Sequence, residues 1–402
     1  LRRQRPGCTF HAPVTDQLPL EEARMRRRAF MKAGFAGALG VGLAPLDGSA
    51  TGISTLFNPR ARRPDGPIRL SSNENPLGLS SAARSAIIEA LSEANRYPSG
   101  PRGPVIEALA AKHGVTPDHI VLGNGSSEIL QMATQCAGGR EVMAIVADPT
   151  FEDVPGYARD IGVRVEKVPL RPDWSHDVER MRELARDAIG PVLVYICNPN
   201  NPTGTLTASR DLDAWIVEAP GHVLFAVDEA YYEFVSDPSY WSAQKWIATH
   251  PNVFVVRTFS KIYAMAGLRL GYAIAHPEGA ARLRAYASGN NANYLALVAG
   301  RASLTDDAFV KKSLETNRAG MRVAHRCLDE LGLEYLPSYT NFLMHRIQGD
   351  LATYNRRMRE NNILVGRAFP PMLGHSRVSI GLPEEMGMWA EALRSFRRQG
   401  WV

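Results

Sequence analysis

Short apolar runs recur along the middle of the chain, at residues 142–147, 163–168, 192–196, 223–227 and 253–256, with stretches of helical spacing between them. A strand covered on both faces reads as a run of apolar residues, and parallel strands need a crossover, usually a helix, to return the chain. The pattern predicts an α/β fold with a mostly parallel central sheet. A long helical stretch at 306–331 leads into a C-terminal part where 342–345, 363–365 and 377–380 read as strands and the segment from Pro383 as a final helix. This part predicts a second, smaller domain, and 402 residues suffice for two cores.

Several runs end in chemistry. The run at 192–196 empties into Cys197-Asn198-Pro199-Asn200-Asn201-Pro202-Thr203-Gly204, and the run at 223–227 ends on Asp228-Glu229-Ala230-Tyr231. Ligands of open α/β sheets bind at the carboxyl ends of strands, which places the Asn201 amide to donate to a ring hydroxyl or oxyanion. Asp228 is placed to pair with a protonated pyridine nitrogen. Asparagines beside prolines are also plain turn chemistry, and Asp-Glu at a strand end also suits magnesium, although no glycine-rich loop ending in Lys-Ser/Thr stands upstream to support a nucleotide. Residues 119–127 read as strand, glycine turn and helix start, a geometry that favours an anion; Ser126 or Ser127 equally suits an ordinary N-cap. Thr258-Phe-Ser260-Lys261, with Arg269 eight residues on, combines hydroxyl donors, an amine able to form a Schiff base and a guanidinium. That set can hold an aldehyde and a phosphate of one molecule, whereas a lone Ser-Lys pair is compatible with a solvated lysine.

In this order the motifs resemble the class I/II aminotransferases of pyridoxal-phosphate fold type I. The likeness is closer to the histidinol-phosphate aminotransferases through Ser72-Asn73-Glu74-Asn75-Pro76, Arg96-Tyr97-Pro98 and Arg377-Val-Ser-Ile-Gly381, and it runs from about residue 70 to the C-terminus. The resemblance implies pyridoxal 5'-phosphate as cofactor. It implies a large domain with a mostly parallel sheet over 96–300, a smaller α+β domain over 301–402, and an arm over 51–95 that joins the small domain in part. Lys261 would carry the cofactor and move the substrate proton, Asp228 would hold the pyridinium, and Asn201 and Tyr231 would contact the 3-oxygen. Ser126, Ser127, Ser260 and Arg269 would hold the phosphate with help from Thr258. Phe151 would stack on the ring, its alternative being core packing. Arg377 would take the substrate carboxylate, its alternative being a surface ion pair, and Asn75 and Arg367 join it as substrate contacts. Tyr97 would reach the phosphate in a partner subunit, so a homodimer with shared sites follows. The implied reaction moves an amino group from an amino acid or amino-alcohol phosphate to a 2-oxo acid, 2-oxoglutarate by family habit. An aromatic or other amino-acid aminotransferase, or a decarboxylase on the same fold, is the alternative.

Charge changes the picture at one end only. The net charge is +5, but residues 1–32 hold eight Lys/Arg and three Asp/Glu, leaving 38 of each sign elsewhere. A balanced body offers no stripe for nucleic acid. Arg26-Arg27-Arg28-Ala29-Phe30-Met31-Lys32, followed by a glycine-rich apolar stretch too short for a membrane span, resembles a twin-arginine export signal within a leader at 1–50. It predicts a periplasmic address reached through the export machinery; a basic tail on a cytoplasmic enzyme is the alternative. Neither the four cysteines nor the ten histidines have metal-ligand spacing, so no metal is expected.

The chain departs from the histidinol-phosphate aminotransferases where they commonly carry an aromatic residue after Asn-Pro and an arginine after the strand valine. Leu77 and Gly366 occupy those places, and Arg367 stands one residue further on. On a strand, one residue turns a side chain to the opposite face, so Arg367 is expected to miss a substrate phosphate unless the chain has left strand geometry there. Histidinol phosphate is therefore expected to be a modest substrate beside a non-phosphorylated amino acid.

Overall fold

The computed structural model of the protein describes residues 66–402 except position 140. The expected leader and its twin-arginine stretch lie outside the described residues. From the N-terminal side come β1 (Ile68–Leu70), α1 (Ser81–Ala90), α2 (Ser99–His113), β2 (Ile120–Gly123), α3 (Gly125–Ala137), β3 (Met143–Asp148), α4 (Asp153–Asp160) and β4 (Arg164–Pro169). Then follow α5 (Val178–Arg186), β5 (Val192–Cys197), α6 (Ser209–Glu218), β6 (Val223–Asp228), β7 (Val253–Thr258), β8 (Gly271–Ala275), α7 (Pro277–Arg284) and α8 (Tyr294–Leu304). The chain closes with α9 (Asp307–Leu331), β9 (Phe342–Arg346), α10 (Leu351–Glu360), β10 (Ile363–Val365), β11 (His375–Ser379) and α11 (Pro383–Arg398).

Seven strands form one sheet in the order β2-β8-β7-β6-β5-β3-β4. The pairs from β4 to β7 are parallel, and β8 runs against both of its neighbours. Strands β5 to β8 are buried at every position, and their sequences are accordingly apolar except at Asp228, Arg257 and Thr258, near their carboxyl ends. Only β4, at the edge, alternates toward solvent. One face of the sheet packs Val194, Ile196, Phe225 and Val255 against helices that include α1 and α8; the other packs Leu193, Tyr195, Leu224 and Phe254 beneath α3. The hydrophobic pattern does not predict β8. Its Gly-Tyr-Ala-Ile-Ala is short, and the glycine that opens it is required by a backbone contact described below.

The smaller core gathers Trp389, Phe396, Tyr354, Met358, Val378 and Leu343. β9 and β11 pair antiparallel, and β1 pairs parallel with β10, so a strand from residues 68–70 completes this layer. Helix α1, from the same arm, packs on the large core through Ala83 and Ile87. Helix α9 joins the two cores: Val310 and Leu314 touch the large one, and Ala324, Cys327 and Leu328 belong to the small one. Asp306 caps it by accepting from Phe309 N at 3.1 Å, and Gly332 closes it at φ 61°.

Candidate active site

Parallel register brings the chemistry together. Cys197 pairs with Asp228, and Asp228 with Val256, so three strand ends empty at one edge and deliver Asn201, Asp228 with Tyr231, and Thr258 to Lys261 to a common cavity of about 340 Å³. Ser126, Ser127, Phe151, Asn201, Asp228 and Tyr231 line it. So do Thr258, Ser260, Lys261, Arg269, Arg367 and Arg377. Phe151 reaches the wall while its other side packs on the sheet's lower core, so stacking and core packing are both open to it.

One end of the cavity is built for an oxyanion. Helix α3 begins at Gly125 with Asn124 as its N-cap residue and no side-chain capping bond, so Ser126 and Ser127 are first-turn residues rather than caps. Asn124 N donates to Glu128 Oε2 at 2.6 Å. Opposite lies Arg269, held at φ 59° with Nη1 donating to Ala266 O at 3.0 Å. Two glycines permit this approach: a Cβ on Gly125 would overlap the Arg269 guanidinium, and one on Gly271 would overlap the backbone of Gly125 and Ser126. Thr258 Oγ1 donates to Ser260 Oγ at 2.9 Å and accepts from Ser260 N at 3.1 Å, which fixes the third hydroxyl. A helix N-terminus, three hydroxyls and a guanidinium suit a phosphate.

The other end suits a protonated ring nitrogen. Asp228 is buried; its Oδ1 accepts from Ala230 N at 3.1 Å and its Oδ2 from Tyr195 Oη at 3.0 Å. Burial pushes its carboxyl up to about 6, with the Tyr195 bond pulling the other way. Glu229 turns away: it accepts from Arg257 Nη2 at 2.8 Å, Ser242 Oγ at 2.8 Å and Ala243 N at 2.8 Å. A carboxylate so engaged shares no metal face with Asp228, so the magnesium alternative has no geometry behind it. Lys261 Nζ lies 5.7 Å from the centre of the Tyr231 ring. Burial, and then the charge of Arg377, lower its ammonium to about 8, against Glu74 and Asp228, which raise it. Tyr231 Oη accepts from Asn73 Nδ2 at 3.1 Å.

Arg377 Nη1 donates to Asn201 Oδ1 at 2.6 Å and Nη2 to Ser71 O at 2.9 Å, while its buried Nε has no partner. Fixing Oδ1 turns the Asn201 NH₂ into the available donor. Phe369 carries both arginines: the guanidinium carbon of Arg377 lies 4.4 Å and that of Arg367 4.3 Å from the same ring centroid. Strand β10 ends at Val365, so Arg367 stands in irregular chain and reaches the cavity wall, where its guanidinium pairs with Glu152. The chain has left strand geometry at this point, which is the condition under which Arg367 can face the substrate.

Two expected residues lie elsewhere. Asn75 does not line the cavity; its Nδ2 donates to Ile262 O at 3.0 Å and Ser313 Oγ at 2.9 Å, and its Oδ1 accepts from Leu77 N, so the substrate role is corrected to that of a brace. Tyr97 is 77% exposed and absent from the cavity wall. Conversely, the structure adds Asn73, Phe369 and Tyr195 to the site. Asn73 stands in the Ser72-Asn73-Glu74-Asn75-Pro76 motif two residues from Asn75, whereas Tyr195 and Phe369 look like core aromatics until their partners are known.

The serine and arginine cradle, the buried Asp228 and the amine of Lys261 fit pyridoxal phosphate, and the unpaired Nε of Arg377 fits a substrate anion. Residues 65–393 match the family model "Aminotransferase class I and II". The chain is 37% identical over 335 residues to histidinol-phosphate aminotransferase 1 of Nitrosococcus oceani, covering 82% of this chain and 89% of that protein. It is 39% identical over 335 residues to the histidinol-phosphate aminotransferase of Moorella thermoacetica, covering 81% and 84%. A crystal structure from Erwinia carotovora atroseptica, provisionally assigned the same activity, superposes with TM-score 0.82 at 38% identity over 84% of this chain and 97% of its own. The fold also matches the Sinorhizobium meliloti enzyme solved with pyridoxal 5'-phosphate, at TM-score 0.76 and 24% identity, covering 88% of this chain and 100% of that one. The chain belongs to the class I and II aminotransferases and is a pyridoxal-phosphate-dependent transaminase.

Proposed function

We propose that Lys261 carries the cofactor and transfers the substrate proton, and that the preferred donor is a carboxylate-bearing amino acid rather than an amino-alcohol phosphate. Bound pyridoxal phosphate supplies an aldehyde carbon and an electron-withdrawing ring. The chain's own residues do the rest. Ser126, Ser127, Ser260 and Arg269, with Thr258 behind them, anchor the phosphate. Asp228 holds the ring nitrogen, and Asn201 and Tyr231 face the 3-oxygen. Arg377 would orient the substrate, and the neutral Lys261 Nζ would accept the proton from Cα and deliver it to the carbon of the cofactor's former aldehyde.

The donor preference rests on Arg377 and Arg367. Histidinol phosphate carries its anion on a CH₂–O arm where an amino acid has its carboxylate, so a phosphate dianion would sit near Arg377. There Gly366 offers no side chain, and Arg367, over the same Phe369 ring, is engaged by Glu152. Arg377 with its unpaired Nε matches one carboxylate. The relatives' name makes histidinol phosphate the reference substrate. The ratio of kcat/KM for histidinol phosphate to that for aromatic and basic amino acids, with 2-oxoglutarate as acceptor, is expected below one. A strong preference for the phosphate, lost in Arg367→Ala, would overturn this reading and give Arg367 the phosphate.

The protein is further proposed to act as a homodimer, Tyr97 completing the phosphate site of the partner subunit. A periplasmic address through the twin-arginine machinery is proposed on the Arg26-Arg27-Arg28 stretch. A reporter fused behind residues 25–60 is expected in the periplasm, and export that survives lysine at both Arg27 and Arg28 would rule that route out.

A further inference from the structure

Tyr195 sits inside β5 among Val192, Leu193, Val194, Ile196 and Cys197, every one of them buried. Its side chain is fully enclosed, on the face it shares with Cys197, Leu224 and Phe254. Phenylalanine would fill that volume, so the hydroxyl calls for a separate reason: a buried polar atom is retained where a partner compensates it. The partner is the Oδ2 of Asp228, 3.0 Å away, with the other carboxylate oxygen taken by Ala230 N at 3.1 Å. Each oxygen of Asp228 thus has one fixed donor, and the residue itself lines the cavity.

We propose that Tyr195 is a positioning residue for transamination: its hydroxyl bonds Asp228 Oδ2 and, by making that carboxylate a poorer base, keeps the shared proton on the cofactor's ring nitrogen. The inference rests on the reading of Asp228 as the ring-nitrogen partner. A carboxylate in a dry pocket competes for a proton, and a hydrogen bond donated to it opposes that tendency. Burial and the neighbouring carboxylate hold the Tyr195 phenol well above its ordinary value, so it stays protonated and acts as a donor, not a relay. Without the hydroxyl, the proton shifts from nitrogen toward Asp228 and the ring withdraws electrons less.

The test uses holoenzyme loaded with pyridoxal phosphate carrying ¹⁵N in the ring, in the wild type, Tyr195→Phe, Asp228→Ala and the double variant. In Tyr195→Phe the ¹⁵N shift is expected to move toward that of unprotonated pyridine. kcat is expected to fall about ten- to a hundredfold with KM within about threefold, the size of one lost bond to a charged acceptor. In the Asp228→Ala background the second substitution is expected to change kcat by less than about twofold, because Tyr195 acts through that carboxylate. Should Tyr195→Phe not accumulate as folded holoenzyme, Tyr195→Met, which also lacks the hydroxyl, replaces it. A wild-type ¹⁵N shift in the Tyr195 variant while Asp228→Ala moves it, or effects that multiply in the double variant, would overturn the proposal and leave Asp228 in place. An unmoved shift in Asp228→Ala would instead remove the underlying reading.

Discussion

Lys261 must be neutral before it can attack an aldehyde, and its surroundings arrange this near physiological pH. Burial is the larger cause and the Arg377 guanidinium the next; together they bring the ammonium from 10.5 to about 8. A base whose value is lowered gains its neutral form earlier as pH rises. Capture of pyridoxal phosphate by the cofactor-free protein is therefore expected to speed up with pH and level off above about 8. In Arg377→Gln the like charge is gone, so the midpoint moves upward. Stopped-flow absorbance reads both, and a wild-type midpoint near 10.5 or an unmoved one in the variant would contradict the cause given. At this scale the sequence was only partly legible. Asn73 and Asn75 are the same amide two residues apart, and nothing in their spacing says that Asn73 contacts Tyr231 while Asn75 braces Ile262 and Ser313. Arg367 was legible as a candidate, but its face depended on where β10 stops.

Among the elements, the strand ends were readable because chemistry interrupts runs that are otherwise wholly apolar. What the hydrophobic pattern could not show is close backbone approach. β8 enters the sheet between β7 and β2 with Gly271 against the start of α3, so the cradle depends on a missing Cβ here as it does at Gly125. Gly271→Ala is expected to push α3 off β8, lowering stability by about 1–3 kcal/mol as other overpacking does. It is also expected to weaken pyridoxal phosphate binding by about tenfold or more. Gly267→Ala, whose Cβ would meet nothing within 4 Å, is the control. Melting temperature and cofactor titration decide; equal behaviour of the two variants would mean that the contact does not shape the cradle. The same limit hid Tyr195, which alternation and apolarity alone assign to the core.

For the molecule as a whole, two cores joined by α9 place a site where the large sheet's strand ends meet Ser71, Arg377 and Phe369 of the smaller layer. Arg377 spans that seam by bonding Asn201 on one side and Ser71 on the other, so movement of one core against the other would alter substrate binding first. Tyr97 is exposed, and its proposed role lies in a homodimer. Mixing equal amounts of Lys261→Ala and Tyr97→Ala, each inactive alone, is expected to restore about a quarter of wild-type activity. Half of the dimers are mixed, and each mixed dimer has one intact site. If exchange of subunits is verified and no activity returns, Tyr97 does not complete a partner's site.

The central claim is that this cavity moves an amino group through Lys261. The most direct measurement is a single half-reaction: holoenzyme is given an amino-acid donor with no acceptor, and the oxo acid, carbon dioxide and cofactor form are quantified. The wild type is expected to release one oxo acid per bound cofactor, with the cofactor recovered as its amine and no carbon dioxide, and Lys261→Ala to release essentially none on that timescale. Carbon dioxide in place of the oxo acid, or a prompt yield from Lys261→Ala near the wild-type rate, would contradict it.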